Sequence, residues 1–354
     1  MLAVRYDRFA GIDGIYLADI PEPTPGPDEV LVQVEAAALN PGSLAALNGA
    51  AFTPNRDLAG TVIAVGSKAG GPNAGGSNAG GSNAGGSNAV GSNAGGSSAG
   101  RSDVGRASAA GSTDAGSTGA GFAAGDQVLG WVQSWDAHAP RVTVPTSQLV
   151  PKPDTLSWDL AGSLYTTPMA GVGAWKAIDV GPGDLVVIAG ASGGVGLVAA
   201  QYAVRAGSRV IGLASRRHFG GLRQLGIEPV PYGDQEEHRI RTAAGDQPVT
   251  GFIDAVGGHY IDLAFALGVA PEHIDTVVDY AAAQEKGVKA LGTRDAGGLA
   301  ALSELAKLVS AGGVRIPIGA TYPLSDVREA YRALRDRRIH GRILLHPQVS
   351  KAGG

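Results

Sequence analysis

Residues 185–202 read Leu-Val-Val-Ile-Ala-Gly-Ala-Ser-Gly-Gly-Val-Gly-Leu-Val-Ala-Ala-Gln-Tyr. Five apolar residues in a row, Leu185–Ala189, are too short for a helix and read as a strand buried on both faces. A glycine turn follows, and then a run of small and apolar residues that predicts a helix over Gly194–Ala206. Strand, glycine turn and helix in that order are the setting a dinucleotide fingerprint requires. Gly193 and Gly194 let backbone approach a pyrophosphate, Gly196 lets the helix lie close to the strand, and the free N–H groups of the helix start attract phosphate oxygens. Ser192, Gly193, Gly194 and Val195 are therefore the candidate pyrophosphate contacts, with Ala191 standing where the first glycine of G-x-G-x-x-G falls. The bland alternative is a tight turn of any α/β protein.

The next strand, Arg209–Ala214, ends in Ser215-Arg216-Arg217-His218. A site for NAD places a carboxylate about 20 residues beyond the glycine turn to bind the ribose hydroxyls. Here two arginines and a serine take that place, and guanidinium groups offer several charge-assisted donors to a dianion. The expected cofactor is NADPH, held at its 2′-phosphate by Ser215, Arg216 and Arg217; the alternative is two arginines that merely solvate the start of a helix.

Strand and helix go on alternating through Leu222–Gly226, Pro229–Pro231, Gly251–Val256, Ile261–Leu267, Thr276–Asp279 and Lys289–Gly292. That predicts a doubly wound, six-stranded parallel sheet over residues 157–311, closed by a helix at Gly298–Ser310. Two helices, Trp158–Thr166 and Gly171–Ile178, lead into it. The first 150 residues follow a different rhythm: Leu2–Tyr6, Ile15–Asp19, Val30–Ala37, Gln127–Gln133 and Arg141–Pro145 have strand composition, with a surface loop at Pro21-Glu-Pro-Thr-Pro-Gly-Pro27. Arg315–Pro323, Ser325–Arg337 with Ser325 as N-cap, and Arg342–His346 read as strand, helix and strand that return to this first part.

Of the 56 glycines, 17 fall within residues 67–121, where GGPNA, GGSNA and close variants repeat every five residues. Such a tract has almost no side-chain area to bury and cannot offset the entropy of ordering its backbone. It is expected to be a disordered insertion between two strands.

The chain has 354 residues, 44% of them hydrophobic, and a net charge of -4. That balance gives no basic footprint for nucleic acid or anionic lipid, and no apolar run approaches a membrane span. A small-molecule partner is expected. With no cysteine, thiolate nucleophiles, disulfides and cysteine-ligated zinc are excluded. The start, MLAVRYDRFAG, alternates and carries charge where a signal peptide needs a basic start and an apolar stretch, so the expected location is cytoplasmic.

Outside the insertion the chain resembles the zinc-independent medium-chain dehydrogenase/reductases, on their quinone oxidoreductase-like branch. The likeness rests on Leu39-Asn40-Pro41, Arg56-Asp57-Leu-Ala-Gly60 with the residues to Gly66, Gly125-Asp126-Gln-Val128, the turn at 189–196, Phe252-Ile-Asp254-Ala-Val-Gly-Gly258 and the ending His340-Gly-Arg-Ile-Leu-Leu-His346. It implies a GroES-like, mainly-β catalytic domain from residues 1–156 and 312–354, a Rossmann NADPH-binding domain at 157–311, and a nicotinamide cleft between them. It also implies a homodimer paired through Lys289–Gly292, and it places Tyr232 beside Ser215 and Arg216 at the adenosine phosphate. Zinc-dependent relatives would have a cysteine near Asn40 and a His-Glu pair where this chain has Arg56-Asp57, so no metal is expected. Hydride transfer to a quinone or an α,β-unsaturated carbonyl then becomes the expected chemistry, because a developing enolate or phenolate needs only a few hydrogen-bond donors. Enoyl-thioester reductases of the superfamily usually show a tyrosine near the position of Phe52 and an acid at that of Ser43, which weighs against that alternative. A cofactor-binding sensor without turnover is the other.

Asn40, Asp57 and Tyr165 are the candidate catalytic residues. Asn40 would orient substrate, with a helix cap at Pro41 as the ordinary alternative; Asp57 would bind substrate or orient water, or else pair as a structural carboxylate. Tyr165 would donate a proton, or simply pack. The resemblance sets Thr167 against the nicotinamide, while Asp254, Val256 and Gly257 end a strand near its ribose. Trp131 and Trp135 would shape an aromatic pocket, and His138 is read as a surface residue.

Overall fold

Strands Leu185–Ala189 and Arg209–Ala214 carry apolar side chains on both faces, and a sheet built from them needs cover on both sides. The computed structural model describes residues 1–7, 10–48, 56–70, 121–133 and 137–348. Along the chain it forms β1 (Leu2–Tyr6), β2 (Ile15–Asp19), β3 (Glu29–Ala38), α1 (Pro41–Leu47), β4 (Arg56–Val65), β5 (Gln127–Val132), β6 (Arg141–Pro145), β7 (Leu149–Pro151), α2 (Trp158–Ala161) and α3 (Thr166–Ala177). There follow β8 (Leu185–Ala189), α4 (Gly194–Arg205), β9 (Arg209–Ala214), α5 (Phe219–Gln224), β10 (Ile227–Pro231), α6 (Glu236–Ala244), β11 (Gly251–Asp254), α7 (Tyr260–Ala266) and β12 (Ile274–Thr276). The chain closes with α8 (Tyr280–Lys286), α9 (Gly298–Ser310), β13 (Ile318–Pro323), α10 (Val327–Arg335) and β14 (Arg342–His346).

β8 to β12 form a parallel sheet in the order β10-β9-β8-β11-β12, the Rossmann arrangement. Leu185, Val187 and Ala189 pack with Ile240 of α6 and Leu263 of α7, whereas Val186 and Ile188 pack with Ala174 of α3 and Ala200 of α4. The alternation of period two sends successive residues to opposite layers, which is why the strand reads as uniformly apolar.

The expected sixth strand at Lys289–Gly292 is not formed. Lys289 makes a single bridge beside Asp275: its N–H donates to Ile274 O at 3.0 Å and its carbonyl accepts from Thr276 N–H at 3.0 Å. The Leu291 N–H is spent on the Asp275 side chain, Oδ1 at 2.8 Å, so the segment leaves the ladder after one residue. Asp275 is fully buried. Burial, reinforced by Asp295 and Asp254, pushes its carboxyl up to about 7 against the opposing Leu291 N–H and Lys289.

The mainly-β, GroES-like part is a sheet of order β13-β14-β3-β4-β5-β7, with β6 also pairing β3, and β1 pairs β2 as a separate ribbon. β14 returns from the far end of the chain to lie antiparallel to β3, Leu344 opposite Ala38. A core of Leu129, Val150, Tyr165, Met169, Val172, Val198, Leu302 and Leu305 joins this sheet to the helices of the parallel one. Several boundaries move: the expected helices Trp158–Thr166 and Gly171–Ile178 are Trp158–Ala161 and Thr166–Ala177, and the expected strand Arg315–Pro323 starts at Ile318. The expected strand at Thr276–Asp279 ends at Thr276, because Asp279 caps α8 by accepting from Ala282 N–H at 3.1 Å. Asp326 rather than Ser325 precedes α10, since a short 3-10 turn at Leu324–Asp326 takes up the serine.

The repeat lies outside the described residues over 71–120, as do Phe52 and Trp135. Its two ends meet: Phe122 N–H donates to Ala69 O at 3.1 Å, Gly70 bridges Phe122, and Ala69 and Phe122 are buried. No helix among the described residues is long and apolar enough to cross a membrane.

Candidate active site

The turn after β8 depends on Gly190, whose φ of +85° is the left-handed region where a side chain is strained. It folds the chain back so that Gly193 N–H donates to Gly190 O at 2.8 Å and α4 starts at once. A Cβ on Gly196 would lie 2.4 Å from Gly190 O, so the helix sits on the turn itself. Gly193 and Gly194 are exposed and Ser192 and Val195 half-buried, leaving the helix start open. On its other side a Cβ on Gly194 would reach Thr167 Cγ2 at 2.5 Å. Side chains at Gly194 and Gly196 would therefore clash with Thr167 and the Gly190 carbonyl, while the helix start itself stays exposed.

Asn40, Asp57, Thr167 and Arg342 are all buried and form one polar knot. Arg342 Nη1 donates to Thr167 Oγ1 at 2.8 Å, and Nη2 to Asn40 Oδ1 at 2.7 Å and to Asp57 Oδ2 at 3.2 Å. Asn40 Nδ2 and the backbone N–H of Thr166 donate to Asp57 Oδ1 at 3.2 and 2.9 Å, and the Thr166 hydroxyl donates to the same oxygen. Thr167 Oγ1 in turn bonds Asn40 Oδ1 at 3.0 Å. Burial raises the Asp57 carboxyl, with Arg342 and the Thr166 and Asn40 donors opposing; burial likewise lowers Arg342, with Asp57 opposing. The knot ties the starts of α1 and α3 to β4 and β14. Asn40 stands before α1, yet its side chain makes no cap bond and is used here instead.

Tyr165 and Trp131 stack with ring centroids 3.7 Å apart and planes 3° from parallel. Trp131 is half-buried and lies opposite Asp57 in the β4–β5 pairing, which sets the pair against the knot. Burial, and then Asp57, push the Tyr165 phenol up to about 12 while Arg294 opposes. The hydroxyl therefore stays protonated throughout the neutral range.

At the other end of the turn, Ser215, Arg216 and Arg217 are exposed just beyond β9. Arg217 Nε donates to His218 Nε2 at 3.0 Å, and the His218 ring stacks on His340 with centroids 4.1 Å apart. Tyr232 follows β10; burial raises its phenol, and a backbone hydrogen bond at Gly190 opposes. Asp254 is buried and fully engaged, accepting from Val256 N–H at 2.9 Å, Gly257 N–H at 2.8 Å and Thr276 Oγ1 at 2.8 Å. Its carboxylate shapes the turn that leaves Val256 46% exposed beside Gly257.

His138 is a correction: it is fully buried, not a surface residue. Its carbonyl accepts from Val4 N–H at 3.0 Å, which draws the segment under β1, and its ring faces Tyr331 edge-on at 6.2 Å. Burial, with Arg56 adding, lowers it to about 3. Sequence reasoning also missed Arg342 and Thr166. An arginine opening the apolar run Arg342-Ile-Leu-Leu was the available signal, because a charge in a buried strand needs partners. Among the described residues no group of three or more His, Cys, Asp or Glu side chains is placed to hold a metal ion.

Residues 225–345 match the zinc-binding dehydrogenase family. The mitochondrial NAD(P)H oxidoreductase of Mus musculus is 30% identical over 257 residues, covering 62% of this chain and 64% of that protein. The polyketide synthase GfsB of Streptomyces halstedii is 27% identical over 244 residues, which are 63% of this chain and 4% of that protein. The chain thus spans a small fraction of such synthases. The quinone oxidoreductase of Coxiella burnetii superposes with a TM-score of 0.73 at 25% identity, covering 98% of this chain and 99% of that one. Residues 225–345 thus carry a zinc-binding dehydrogenase domain, and the chain as a whole has the two-sheet fold of the medium-chain dehydrogenase/reductases, with a quinone oxidoreductase among its structural neighbours.

Proposed function

We propose that the chain is an NADPH-dependent oxidoreductase that transfers a hydride, without zinc, to a quinone or an α,β-unsaturated carbonyl. The observation that carries this reading is the open helix start at Gly193–Gly194, with Thr167 against one side and with β8 paired to β9, the strand that leads into the exposed Ser215, Arg216 and Arg217. The backbone of Ser192, Gly193, Gly194 and Val195 would hold the pyrophosphate at the start of the 12-residue helix α4. Ser215, Arg216 and Arg217 would hold the 2′-phosphate, Tyr232 the adenosine, and Thr167, Val256 and Gly257 the nicotinamide half. When bound, the nicotinamide supplies the hydride.

The protein's own part is placement. Tyr165, stacked on Trp131, offers a flat wall to a planar acceptor and a protonated hydroxyl for the oxygen on which charge develops. Asn40 and Asp57 are enclosed in the knot, so they act by holding Thr167 and the α3 start rather than by touching substrate. Asp254 likewise acts through the Val256–Gly257 turn. A homodimer through the short-bridged edge at Lys289 goes with this reading, and sedimentation would show it.

The test is fluorescence titration with NADPH and NADH on the parent and on an Arg216→Ala, Arg217→Ala double variant, followed by turnover with quinones, enones and enoyl thioesters. A preference of tenfold or more for NADPH, about 1.4 kcal/mol, that the double variant loses supports the cofactor reading. Equal binding of the two cofactors overturns it. Tight NADPH binding with no turnover on any acceptor replaces the enzyme by a sensor, and turnover confined to thioesters replaces the acceptor class.

A further inference from the structure

His218 and His340 come from segments of different sheets: His218 ends the 3-10 turn after β9 of the parallel sheet, and His340 stands two residues before Arg342 in β14 of the mixed sheet. Their rings stack at 4.1 Å with planes 28° apart. Arg217 Nε, a donor in every protonation state, points at His218 Nε2 at 3.0 Å, so that nitrogen accepts and the His218 ring is neutral. Arg217 is also the charged group that acts on His340. Burial, then the neighbouring positive charges, lower both imidazoles. The other charged groups on the elements packed there are Arg216 in the same turn, Arg223 of α5 lying over Phe219, and Arg337 and Arg338 ahead of His340. The nearby carboxylate, Asp336, is already paired with Arg335 and Arg338, at 2.7 and 2.8 Å. The cluster is thus a set of proton acceptors and cations without a counter-anion of its own among the described residues, next in sequence to Ser215 and Arg216.

We propose that His218 and His340 form a clamp, one jaw from each sheet, for a phosphomonoester dianion, which on the reading above is the 2′-phosphate of NADPH. The dianion supplies the missing counter-charge, and the stack takes up a proton as the site fills. Balance is simple: one proton from solvent to one imidazole nitrogen, with no covalent change. A cation next to two arginines is then stabilised by two negative charges rather than opposed. The second consequence is mechanical. Gly341, at φ +107°, separates His340 from Arg342, whose guanidinium holds Thr167 at the nicotinamide end. Three consecutive residues therefore touch both ends of the cofactor cleft, and filling the phosphate end sets the strand start that positions the other.

The experiment is calorimetric titration of the full chain at pH 7 in two buffers of different ionisation enthalpy, which counts protons taken up per ligand. NADPH, NADH, adenosine 2′,5′-bisphosphate, 5′-AMP and inorganic phosphate are compared on the parent, His340→Phe and His218→Phe; phenylalanine keeps an aromatic ring in the stack but cannot titrate. The cofactor phosphate has its own protonation near pH 6. The free ligand's protonation is the same in all three titrations, so a difference between parent and variant reports the protons held in the bound site, imidazole and phosphate together. The expected result is a larger proton uptake for NADPH than for NADH in the parent, reduced in both variants, with the NADPH-to-NADH affinity ratio falling three- to tenfold. Uptake and ratio equal to the parent's in both variants overturn the clamp while leaving the arginine-based cofactor reading intact. Loss of discrimination in the parent itself overturns both. Uptake driven equally by inorganic phosphate and by adenosine 2′,5′-bisphosphate overturns the 2′-phosphate assignment.

Discussion

Arg342 Nη2 lies 3.2 Å from Asp57 Oδ2 and 2.7 Å from Asn40 Oδ1, so one nitrogen of the last strand binds two residues 17 positions apart near the start of the chain. Two buried charges repay their desolvation only when the remaining donors and acceptors are also satisfied, and Thr166, Thr167 and Asn40 provide that here. Among the described residues Arg342 Nε has no hydrogen-bond partner, so that repayment runs through Nη1 and Nη2.

Removing one member of such a pair leaves an uncompensated buried charge. Arg342→Ala is expected to lower stability by about 3–5 kcal/mol, and Asp57→Asn by less because the amide oxygen still accepts. Urea unfolding of the two variants checks the order. The double variant, Arg342→Ala with Asp57→Asn, should fall short of the sum, the sign of direct coupling.

Tyr165→Phe keeps the ring against Trp131 and removes only the hydroxyl. A fall in kcat of about 10²-fold with little change in KM is expected if that hydroxyl meets the developing oxyanion. Because burial holds the phenol near about 12, the parent's kcat should show no tyrosine titration up to pH 10. Trp131→Ala should act on KM instead, through loss of a stack worth about 0.5–1.5 kcal/mol. An effect of Trp131→Ala confined to kcat would sink the division of roles.

Asp275 gives a pH signature. Its carboxyl titrates near about 7 in the folded chain and at the model-compound value of 3.8 when exposed, so between those pH values the folded state holds the extra proton. Stability contributed by that proton is full below about pH 4 and is lost as pH rises through 7, at about 1.4 kcal/mol per pH unit. Asp275→Asn mimics the protonated form and keeps an acceptor for Leu291 N–H. Relative to the parent it should gain stability between pH 4 and 7 and show a constant advantage above, read by thermal unfolding at pH 4.5, 6 and 8.

Much of this architecture is legible in the sequence, for identifiable reasons. Leu185–Ala189 and Arg209–Ala214 are read to the residue because a doubly covered strand has no polar face to blur its ends. Leu149–Pro151 is not, since three residues carry no period and their strand exists only through pairing with β5. Lys289–Gly292 has strand composition, yet a side-chain acceptor on Asp275 outcompetes the ladder for Leu291 N–H. The site divides similarly. The glycine cradle and the arginines after β9 are local signals, whereas the Asn40–Asp57–Arg342 knot joins residues some 300 positions apart and is set by β14 returning to β3. His138 was misread because a lone histidine in a polar stretch gives no sign of the strand that covers it.

The contact between Ala69 and Phe122 closes the base of the repeat-bearing segment at one point. Val65, where β4 ends toward that base, lies eight residues from Asp57, roughly 26 Å along an extended strand. Replacing residues 71–120 by a short glycine-serine linker is therefore expected to leave Tm and NADPH affinity unchanged, and a loss of either would show that the tract serves the cleft.

For anyone attaching cargo to this protein, that pinch point is a ready-made socket. A reporter domain or an immobilisation handle spliced there inherits both anchor strands already paired, and sits a strand's length away from the chemistry.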